Sequence, residues 1–177
     1  MNTIFIQYYK SPVGELIIGD YEGELCICDW RHRKMRPAID KRILIGLSAE
    51  YLEGETELTK ACVEQLTAYF KKERSTFDLP LKLVGSDFQQ SVWKALMQIP
   101  FGQTQSYLGL SKLLKNEKAI RAVASANGAN AISIIVPCHR IIGSKGELTG
   151  YAGGLPAKKK LLQLEGAHGF SNQLELF

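Results

Sequence analysis

A thiol, an imidazole and a guanidinium follow one another at Cys138, His139 and Arg140, within the run Ile-Ile-Val-Pro-Cys-His-Arg-Ile-Ile. The apolar β-branched residues before them, Ile134 to Val136, are typical of the end of a buried strand. Pro137 removes a backbone donor and fixes φ, so strand pairing should stop there. A thiolate is the reactive form of cysteine, and a neighbouring cation or base lowers the pKa of a thiol. The run therefore predicts a reactive cysteine at a bend.

The imidazole of His139 can act on the thiol of Cys138 only if the backbone bends between or around them. Adjacent residues of a strand point to opposite faces, so His139 reaches Cys138 only where the chain bends, or through a water molecule. The alternative is a buried structural cysteine beside a histidine and an arginine on the surface. The proline before the thiol and the charged pair after it favour the reactive cysteine.

The composition is that of an ordinary globular protein, with 45% hydrophobic and 23% charged residues in a chain of 177. This length allows one domain or two small ones. No apolar run approaches the ~20 residues that a membrane helix needs, and no signal peptide is visible. We therefore expect a cytoplasmic protein without membrane contacts, whose four cysteines are thiols rather than disulfides. We also expect the protein to be a monomer.

The basic residues are concentrated in the half that holds the reactive cysteine. Residues 1–85 contain 12 Lys and Arg against 13 Asp and Glu, whereas residues 86–177 contain 10 against 5. A positive excess around a site favours a polyanionic partner such as a nucleic acid.

The first half predicts a small α/β unit. Residues 3–9, 15–19 and 25–30 have the pattern of three meandering strands, and Thr59 to Arg74 that of a helix with an apolar stripe. The basic stretch 31–42 predicts a mobile, solvated loop, with contact to DNA as the alternative. Cys26, Cys28 and His32 could hold a metal ion, but their spacing matches no usual zinc pattern, which favours buried strand cysteines.

From Ser86 onward the pattern changes to short helices. Ser86 or Asp87 caps a first helix, and Thr104–Leu114 and Lys118–Asn127 predict a second and a third, the third ended by Gly128. Two short helices joined by a tight polar turn indicate a helix-turn-helix, with an ordinary helical hairpin as the alternative. A last helix is predicted from Pro156 to Glu165.

Ordered motifs along most of the chain resemble those of the O6-alkylguanine-DNA alkyltransferases of the bacterial type, which are suicide DNA-repair proteins. Pro-Cys-His-Arg at residues 137–140, followed by Ile-Ile-Gly, resembles the active-site signature of that family. The other motifs that carry the resemblance are Tyr69-Phe70, Phe77-Asp78-Leu79-Pro80-Leu81, Phe88-Gln89, Val92-Trp93, Ile99-Pro100-Phe101-Gly102, Ser106-Tyr107, Arg121-Ala122-Val123, Asn130, Gly150-Tyr151-Ala152-Gly153-Gly154, Lys159 or Lys160 with Leu161-Leu162, and Glu165-Gly166.

The resemblance implies an α/β (α+β) fold of two domains. Residues 1–85 would form an N-terminal ribonuclease H-like α/β domain with its linker, and residues 86–170 a C-terminal winged helix-turn-helix domain. Residues 171–177 would be a flexible tail. The implied activity is single-turnover transfer of an alkyl group from O6 of guanine, and by the same resemblance from O4 of thymine, in double-stranded DNA. No cofactor and no metal are implied.

The resemblance also implies a role for individual residues. Cys138 would accept the alkyl group, His139 would be the base acting through a water, Glu165 would orient His139, and Asn130 would brace the turn. Tyr107 would assist nucleotide rotation and donate to the base, while Tyr151, Ala152 and the backbone carbonyls of Cys138 and Ile141 would line the guanine pocket. Arg121 would fill the stack left by the flipped base, with Ala122, Ala126 and Gln89 at the DNA.

One position departs from the family pattern, because many members carry serine where this chain has Ala152. Because this hydroxyl is missing, the polarity of the pocket and its tolerance of bulkier alkyl groups remain open questions. Two other classes of function remain to be separated: a Cys-His hydrolase that turns over, and a relative that binds lesions without an acceptor thiol. Cys138 argues against the second, and the helix-turn-helix pattern against the first.

The last five residues, from Gln173 to Phe177, resemble the Gln-Leu-x-Leu-Phe peptides with which bacterial polymerases and repair proteins dock on the sliding clamp. In such a peptide the apolar side chains would enter a pocket of the clamp, and the glutamine would fix the orientation. The alternative is that Leu176 and Phe177 pack on the C-terminal domain of their own chain.

Overall fold

The computed structural model describes residues 1–170, which divide into a first unit, Met1–Gly85, and a second unit that begins at Ser86. The three strands predicted for the first unit are confirmed as β1 (Asn2–Ser11), β2 (Gly14–Tyr21) and β3 (Glu24–Trp30). A fourth strand, β4 (Ala49–Glu53), pairs in parallel with β1, and the sheet order is β3-β2-β1-β4. Among the described residues, β1–β2 and β2–β3 are antiparallel.

Two helices complete the first unit. Helix α2 (Glu57–Phe70) buries the predicted stripe, and the Thr56 side chain caps its first turn in a reciprocal capping box. The buried residues of that stripe are Cys62, Leu66, Tyr69 and Phe70. Cys26 and Cys28 lie in the core as expected, and burial raises the pKa of the Cys26 thiol to about 12.

The basic stretch 31–42 is not the mobile loop that its composition predicted. Helix α1 (Arg36–Leu47) begins there, with Pro37 in its first turn and Ile39, Ile43 and Leu47 in the core. Arg33 and Arg36 donate to the fully buried carboxylate of Asp29, at 3.1 and 2.9 Å. The basic residues are ordered because a buried carboxylate requires cationic partners, which a charge count does not reveal.

The second unit contains four helices and a short parallel pair of strands among its described residues. The helices are α3 (Asp87–Leu96), α4 (Tyr107–Leu113), α5 (Ile120–Gly128) and α6 (Leu155–Leu164), and the strands are β5 (Gln105–Ser106) and β6 (Ile141–Ile142). Ser86 caps α3 as predicted, and α5 packs against both α3 and α4. No helix within residues 1–170 has the length and apolarity to cross a membrane.

Three predicted details of the second unit were wrong. The helix expected from Thr104 begins at Tyr107, because Gln105 and Ser106 pair with β6 and the Ser106 side chain caps the helix. Gly128 is the last residue of α5 instead of a left-handed residue beyond it. Ile134 to Val136 form a turn, in which Ile134 takes the left-handed φ of 71°. A β-branched residue rarely adopts that conformation, which a strand-like composition cannot predict.

Candidate active site

Cys138 begins a tight 3₁₀ turn, Cys138–Arg140, directly after Pro137. The turn is closed by the backbone N–H of Arg140, which donates to the carbonyl of Pro137 at 3.0 Å, and by that of Ile141, which donates to the carbonyl of Cys138. The predicted bend at the proline is therefore present. The thiol side of the turn is almost closed to solvent, since Cys138 is 4% exposed.

Asn130 holds the segment that leads into this turn. Its amide nitrogen donates to the carbonyl of Val136 at 2.8 Å and to that of Ile132 at 3.3 Å, while its amide oxygen accepts from the backbone N–H of Ile132 at 2.9 Å. One buried side chain thus replaces the ladder that a strand would have provided.

Glu165, at the end of α6, binds both residues that follow the thiol. Its Oε1 is 2.8 Å from Nε2 of His139 and accepts from Nη2 of Arg140 at 2.9 Å, while Oε2 accepts from Nε of Arg140 at 2.9 Å. Nη1 of Arg140 donates to the carbonyl of Ile99 at 2.6 Å. The side chains of His139 and Glu165 are fully buried, so this is an interior charge cluster.

Burial alone would raise the pKa of Glu165, but the neighbouring His139 and Arg140 outweigh it and hold the pKa well below the usual range. Gly102 approaches the same carboxylate, since its backbone N–H is 3.4 Å from Oε2. Its φ is +80°, and a Cβ there would lie 2.9 Å from the carbonyl oxygen of Glu165. Glycine is required at this approach. The other ring nitrogen of His139, Nδ1, is buried without a hydrogen-bond partner among residues 1–170.

A strap of residues 149–154 runs beside the 3₁₀ turn Cys138–Arg140 and ends at α6. It carries Tyr151, whose ring centroid lies 6.5 Å from that of His139, and the half-buried Ala152. The hydroxyl of Thr149 donates to the hydroxyl of Tyr107 at 3.1 Å. Of the residues predicted for the guanine pocket, Tyr107 is thus bound to the first residue of the strap, and Tyr151 lies two residues further along it.

Helix α5 presents a flat face of small residues with one arginine. Arg121, Ala122, Ser125 and Gly128 are exposed. Ala126 was predicted at the DNA as well, but its side chain does not share this exposed face. Ala126 is 3% exposed on the core side of the helix, where its carbonyl accepts from Nε1 of Trp93 at 2.8 Å. Residues 122 and 126 are four apart and so lie near the same side of the helix, yet Ala122 is exposed and Ala126 is buried. The small size of both side chains could not predict which of them faces outward.

Gln89 has a structural partner that its predicted DNA contact did not anticipate. The Gln89 side-chain oxygen accepts from the backbone N–H of Ser86 at 3.0 Å, while the Ser86 hydroxyl accepts from the backbone N–H of Gln89 at 3.1 Å. This capping box fixes the start of α3.

Sequence reasoning missed Lys158 and gave Arg140 no specific role. Lys158 is fully buried, and its Nζ donates to the carbonyls of Thr149 at 2.8 Å and Gly150 at 3.3 Å. The run Lys158-Lys159-Lys160 has the composition of a solvated face, but the helical period places the first of the three with Leu161, Leu162 and Glu165. That periodicity was the available signal.

Comparison with known proteins assigns the chain to a family. Residues 4–83 match the profile of the 6-O-methylguanine DNA methyltransferase ribonuclease-like domain, and residues 87–167 that of the 6-O-methylguanine DNA methyltransferase DNA binding domain. A methylated-DNA–protein-cysteine methyltransferase of Methanosarcina acetivorans is 41% identical, over 93% of this chain and 99% of that protein. The chain belongs to the 6-O-methylguanine DNA methyltransferase family.

Two further relatives cover nearly the whole chain. A methylated-DNA–protein-cysteine methyltransferase of Mycobacterium leprae is 50% identical, over 94% of each chain. The crystal structure of Mycobacterium tuberculosis OGT in complex with DNA superposes with a TM-score of 0.80, at 39% identity and over 92% of each chain. The resemblance and the fold predicted from the sequence, a ribonuclease-like domain followed by a DNA-binding domain, are therefore confirmed. The roles of the individual residues stay predictions.

Proposed function

We propose that this protein repairs double-stranded DNA by moving an alkyl group from O6 of guanine, and also from O4 of thymine, to Cys138, once per chain. The observation that carries the proposal is the buried thiol of Cys138 on a turn whose next residue, His139, is paired with the buried Glu165 at 2.8 Å. The DNA complex of the M. tuberculosis relative and the basic second half of this chain support DNA as the partner.

In this proposal, His139 accepts the proton of the thiol. Because Nε2 of His139 is held by Glu165, only the buried Nδ1 remains to take a proton, through a water molecule, from Cys138. The low pKa of Glu165 keeps the carboxylate ionised, which stabilises the imidazolium that forms. The imidazole thus acts as a base whose orientation is fixed by the bond between its Nε2 and Glu165.

The transfer is a single displacement at carbon. The thiolate forms an S–C bond with the alkyl carbon while the C–O6 bond breaks, and the electron pair of that bond remains on guanine. Guanine leaves with a proton donated by Tyr107, which recovers it from solvent. The thioether is stable, so no step regenerates the thiol, and the reaction as written balances without a cofactor.

The substrate must leave the duplex to reach the thiol. Cys138 is almost entirely buried, and the alkyl carbon is stacked inside DNA, so the nucleotide has to rotate out. Ala122, Ser125 and Gly128 give α5 a face that can approach a groove closely, and Arg121 on that face would enter the stack in place of the base. Phosphate contacts and shape, not base identity, would then set affinity, as repair of scattered lesions requires.

The pocket would recognise guanine mainly through backbone groups. The carbonyls of Cys138 and Ile141 would accept from the exocyclic amine, Tyr151 would line the pocket, and the backbone N–H of Ala152 would face O6. The carbonyl of Cys138 already accepts from the N–H of Ile141, which fixes its direction before substrate arrives. Alanine at 152 supplies no hydroxyl to O6.

Mass spectrometry of the intact protein after incubation with duplex DNA containing O6-methylguanine tests the proposal. We expect one permanent adduct of the mass of CH2 per chain, mapped to the peptide that contains Cys138. The variant Cys138→Ser should gain no adduct while its affinity for DNA stays nearly unchanged, because a hydroxyl is far less acidic than a thiol and the groove contacts lie elsewhere. Repeated turnover without an adduct would indicate a hydrolase, and binding alone a lesion-recognition protein. An adduct on Cys26, Cys28 or Cys62 would contradict the choice of acceptor.

The proposed partners include a sliding clamp as well as DNA. The peptide Gln173–Phe177 that suggests it lies outside the described residues, so its support is the sequence pattern alone. Docking there would place the protein where an alkylated template miscodes. We propose further that the protein acts as a monomer in the cytoplasm.

A further inference from the structure

Thr149 is a half-buried threonine to which the proposed chemistry gives no role. It is the first residue of the strap 149–154, and its hydroxyl donates to the phenol oxygen of Tyr107 at 3.1 Å. In the proposed reaction this phenol gives a proton to the leaving guanine. The hydroxyl of Thr149 therefore contacts an atom whose charge changes during transfer.

The backbone connects Tyr107 to the turn that carries the thiol. Tyr107 directly follows strand β5, and β5 pairs in parallel with β6. Strand β6 in turn directly follows the 3₁₀ turn Cys138–Arg140. The backbone next to the phenol is thus fixed relative to Cys138, and the hydroxyl is the part of Tyr107 whose position this pairing does not set.

Lys158 fixes the backbone of Thr149 from the other side. It is fully buried on α6, and its Nζ donates to the carbonyl of Thr149 at 2.8 Å and to that of Gly150 at 3.3 Å. A buried ammonium that loses its acceptors is costly, so these two bonds resist displacement of the strap. The hydroxyl of Thr149 is therefore presented to the phenol from an anchored backbone.

The direction of the bond between the two hydroxyls decides what the phenol can do. A phenol carries one O–H and can also accept hydrogen bonds on the same oxygen. Because Thr149 is the donor, the phenol oxygen of Tyr107 uses a lone pair in this contact, and its single proton remains for guanine. A donor at that oxygen also stabilises the negative charge that appears when the proton leaves, since hydrogen bonds to charged groups are stronger than those between neutral groups.

We propose that the hydroxyl of Thr149 positions Tyr107 as the proton donor to the leaving guanine, and that Lys158 anchors Thr149 through its carbonyl. Thr149 keeps its own proton throughout. The proton of the phenol passes to guanine as the C–O6 bond breaks, and the phenolate is reprotonated from solvent. Thr149 is then a positioning residue, which acts on the substrate only through Tyr107. This inference deepens the proposed function, on which it rests.

Thr149→Val removes the hydroxyl at nearly constant shape, and single-turnover kinetics of methyl transfer measure the effect. At saturating duplex DNA containing O6-methylguanine, the rate constant should fall about tenfold, the factor expected for one hydrogen bond to a group that becomes charged. The DNA concentration that gives half the maximal rate should not change. Thr149→Ser keeps the hydroxyl and should react at close to the wild-type rate. Thr104→Val makes the same change at another half-buried position of the second unit and is the control.

A combination with Tyr107→Phe separates this role from a structural role of the strap. Without the phenol hydroxyl, Thr149→Val has no bond left to remove, so it should change the rate by less than about twofold in that background. An O6-alkylguanine base in solution should lose as much rate as the duplex substrate, because both need the proton. A tenfold loss that persists beside Tyr107→Phe, or a loss confined to duplex DNA, would overturn the proposal.

Thr149→Ala is measured beside Thr149→Val, so that one of them reports if the other does not fold. If neither folds while Thr149→Ser does, the hydroxyl is required for the structure instead, and the proposal fails. Absence of an adduct on Cys138 of the wild type would remove the proposed function and this inference together. An adduct that forms at the wild-type rate in Thr149→Val would remove the inference alone.

Discussion

Replacing Glu165 by glutamine should destabilise the second unit severely although the side chain keeps its size. Each carboxylate oxygen accepts a hydrogen bond from Arg140, Oε1 from Nη2 and Oε2 from Nε, both at 2.9 Å. Oε1 also faces Nε2 of His139. Whichever way the amide is placed, its NH2 group therefore points at a guanidinium donor. No orientation of glutamine reproduces the bonds of the carboxylate.

The expected loss is that of a buried ion pair from which one partner is removed. Such changes cost about 3–5 kcal/mol, because the remaining charge stays buried without compensation. The upper part of the range applies here, since the side chain of Glu165 is fully buried and that of Arg140 is 8% exposed. Alkyl transfer should also fall, because the imidazole of His139 loses the anion that orients it.

Urea unfolding followed by the fluorescence of Trp93 measures this loss, in a background in which Trp30→Phe silences the first unit. Glu117→Gln, at an exposed position of the same unit, is the control and should lie within about 0.5 kcal/mol of its parent. If Glu165→Gln lowers the free energy of unfolding by less than about 1 kcal/mol, the carboxylate is not what holds the turn, and the reasoning fails.

The wild type and Glu165→Gln can also be compared for the pH dependence of their stability. The folded state holds the pKa of Glu165 below its ordinary value of 4.5, so in the folded protein the carboxylate binds fewer protons than in the unfolded chain. Its contribution to stability is present above the unfolded pKa and is lost as the pH falls below it. The difference in unfolding free energy between wild type and Glu165→Gln should therefore shrink as the pH falls from about 5 toward 3.

Two further outcomes test the DNA face and the tail. Arg121→Ala should slow repair of duplex DNA far more than dealkylation of an O6-alkylguanine base in solution. The reason is that Arg121 would fill the gap in the base stack and so offset a flipping cost of a few kcal/mol, which the isolated base does not incur. Equal losses on both substrates would contradict this role, and Lys118→Ala is the control that removes the same charge. Deleting residues 173–177 should abolish binding to purified sliding clamp without changing the melting temperature or transfer on a short duplex. No clamp binding by the full-length protein at tens of micromolar, or a lowered melting temperature, would favour a packed tail.

The elements that periodicity and capping specify were predictable from the sequence. The three strands, the stripe of α2 and the cap of α3 follow from alternation, helical spacing and a serine three residues before a glutamine. The family resemblance located Cys138, His139 and Glu165 and implied that Glu165 orients His139, whereas composition and periodicity alone do not predict that residues 139 and 165 touch. That contact depends on α6 returning to a turn 26 residues earlier.

What failed were segments whose backbone is set by side-chain contacts. The run at 134–136 is apolar and β-branched, yet it forms a turn, in which Asn130 donates to the carbonyl of Val136 and accepts from the backbone N–H of Ile132 just before it. The basic run 31–42 is ordered, helical from Arg36 onward, and Arg33 and Arg36 bind the buried carboxylate of Asp29. In both segments, one buried polar group that needs hydrogen-bond partners sets the backbone conformation, against the local propensity of the residues.

Helix α6 explains why the 3₁₀ turn Cys138–Arg140 can be both buried and charged. Lys158 and Glu165 are separated by two helical turns and therefore lie on one face, with Leu161 and Leu162 between them in the core. The cation at one end donates to the carbonyls of Thr149 and Gly150, and the anion at the other end binds the imidazole and the guanidinium. Because both charges belong to one rigid element, packing of the two leucines fixes their separation and their alignment with the turn together. The apolar contacts of α6 thus set where the two charged side chains lie, which the polar residues alone would not do.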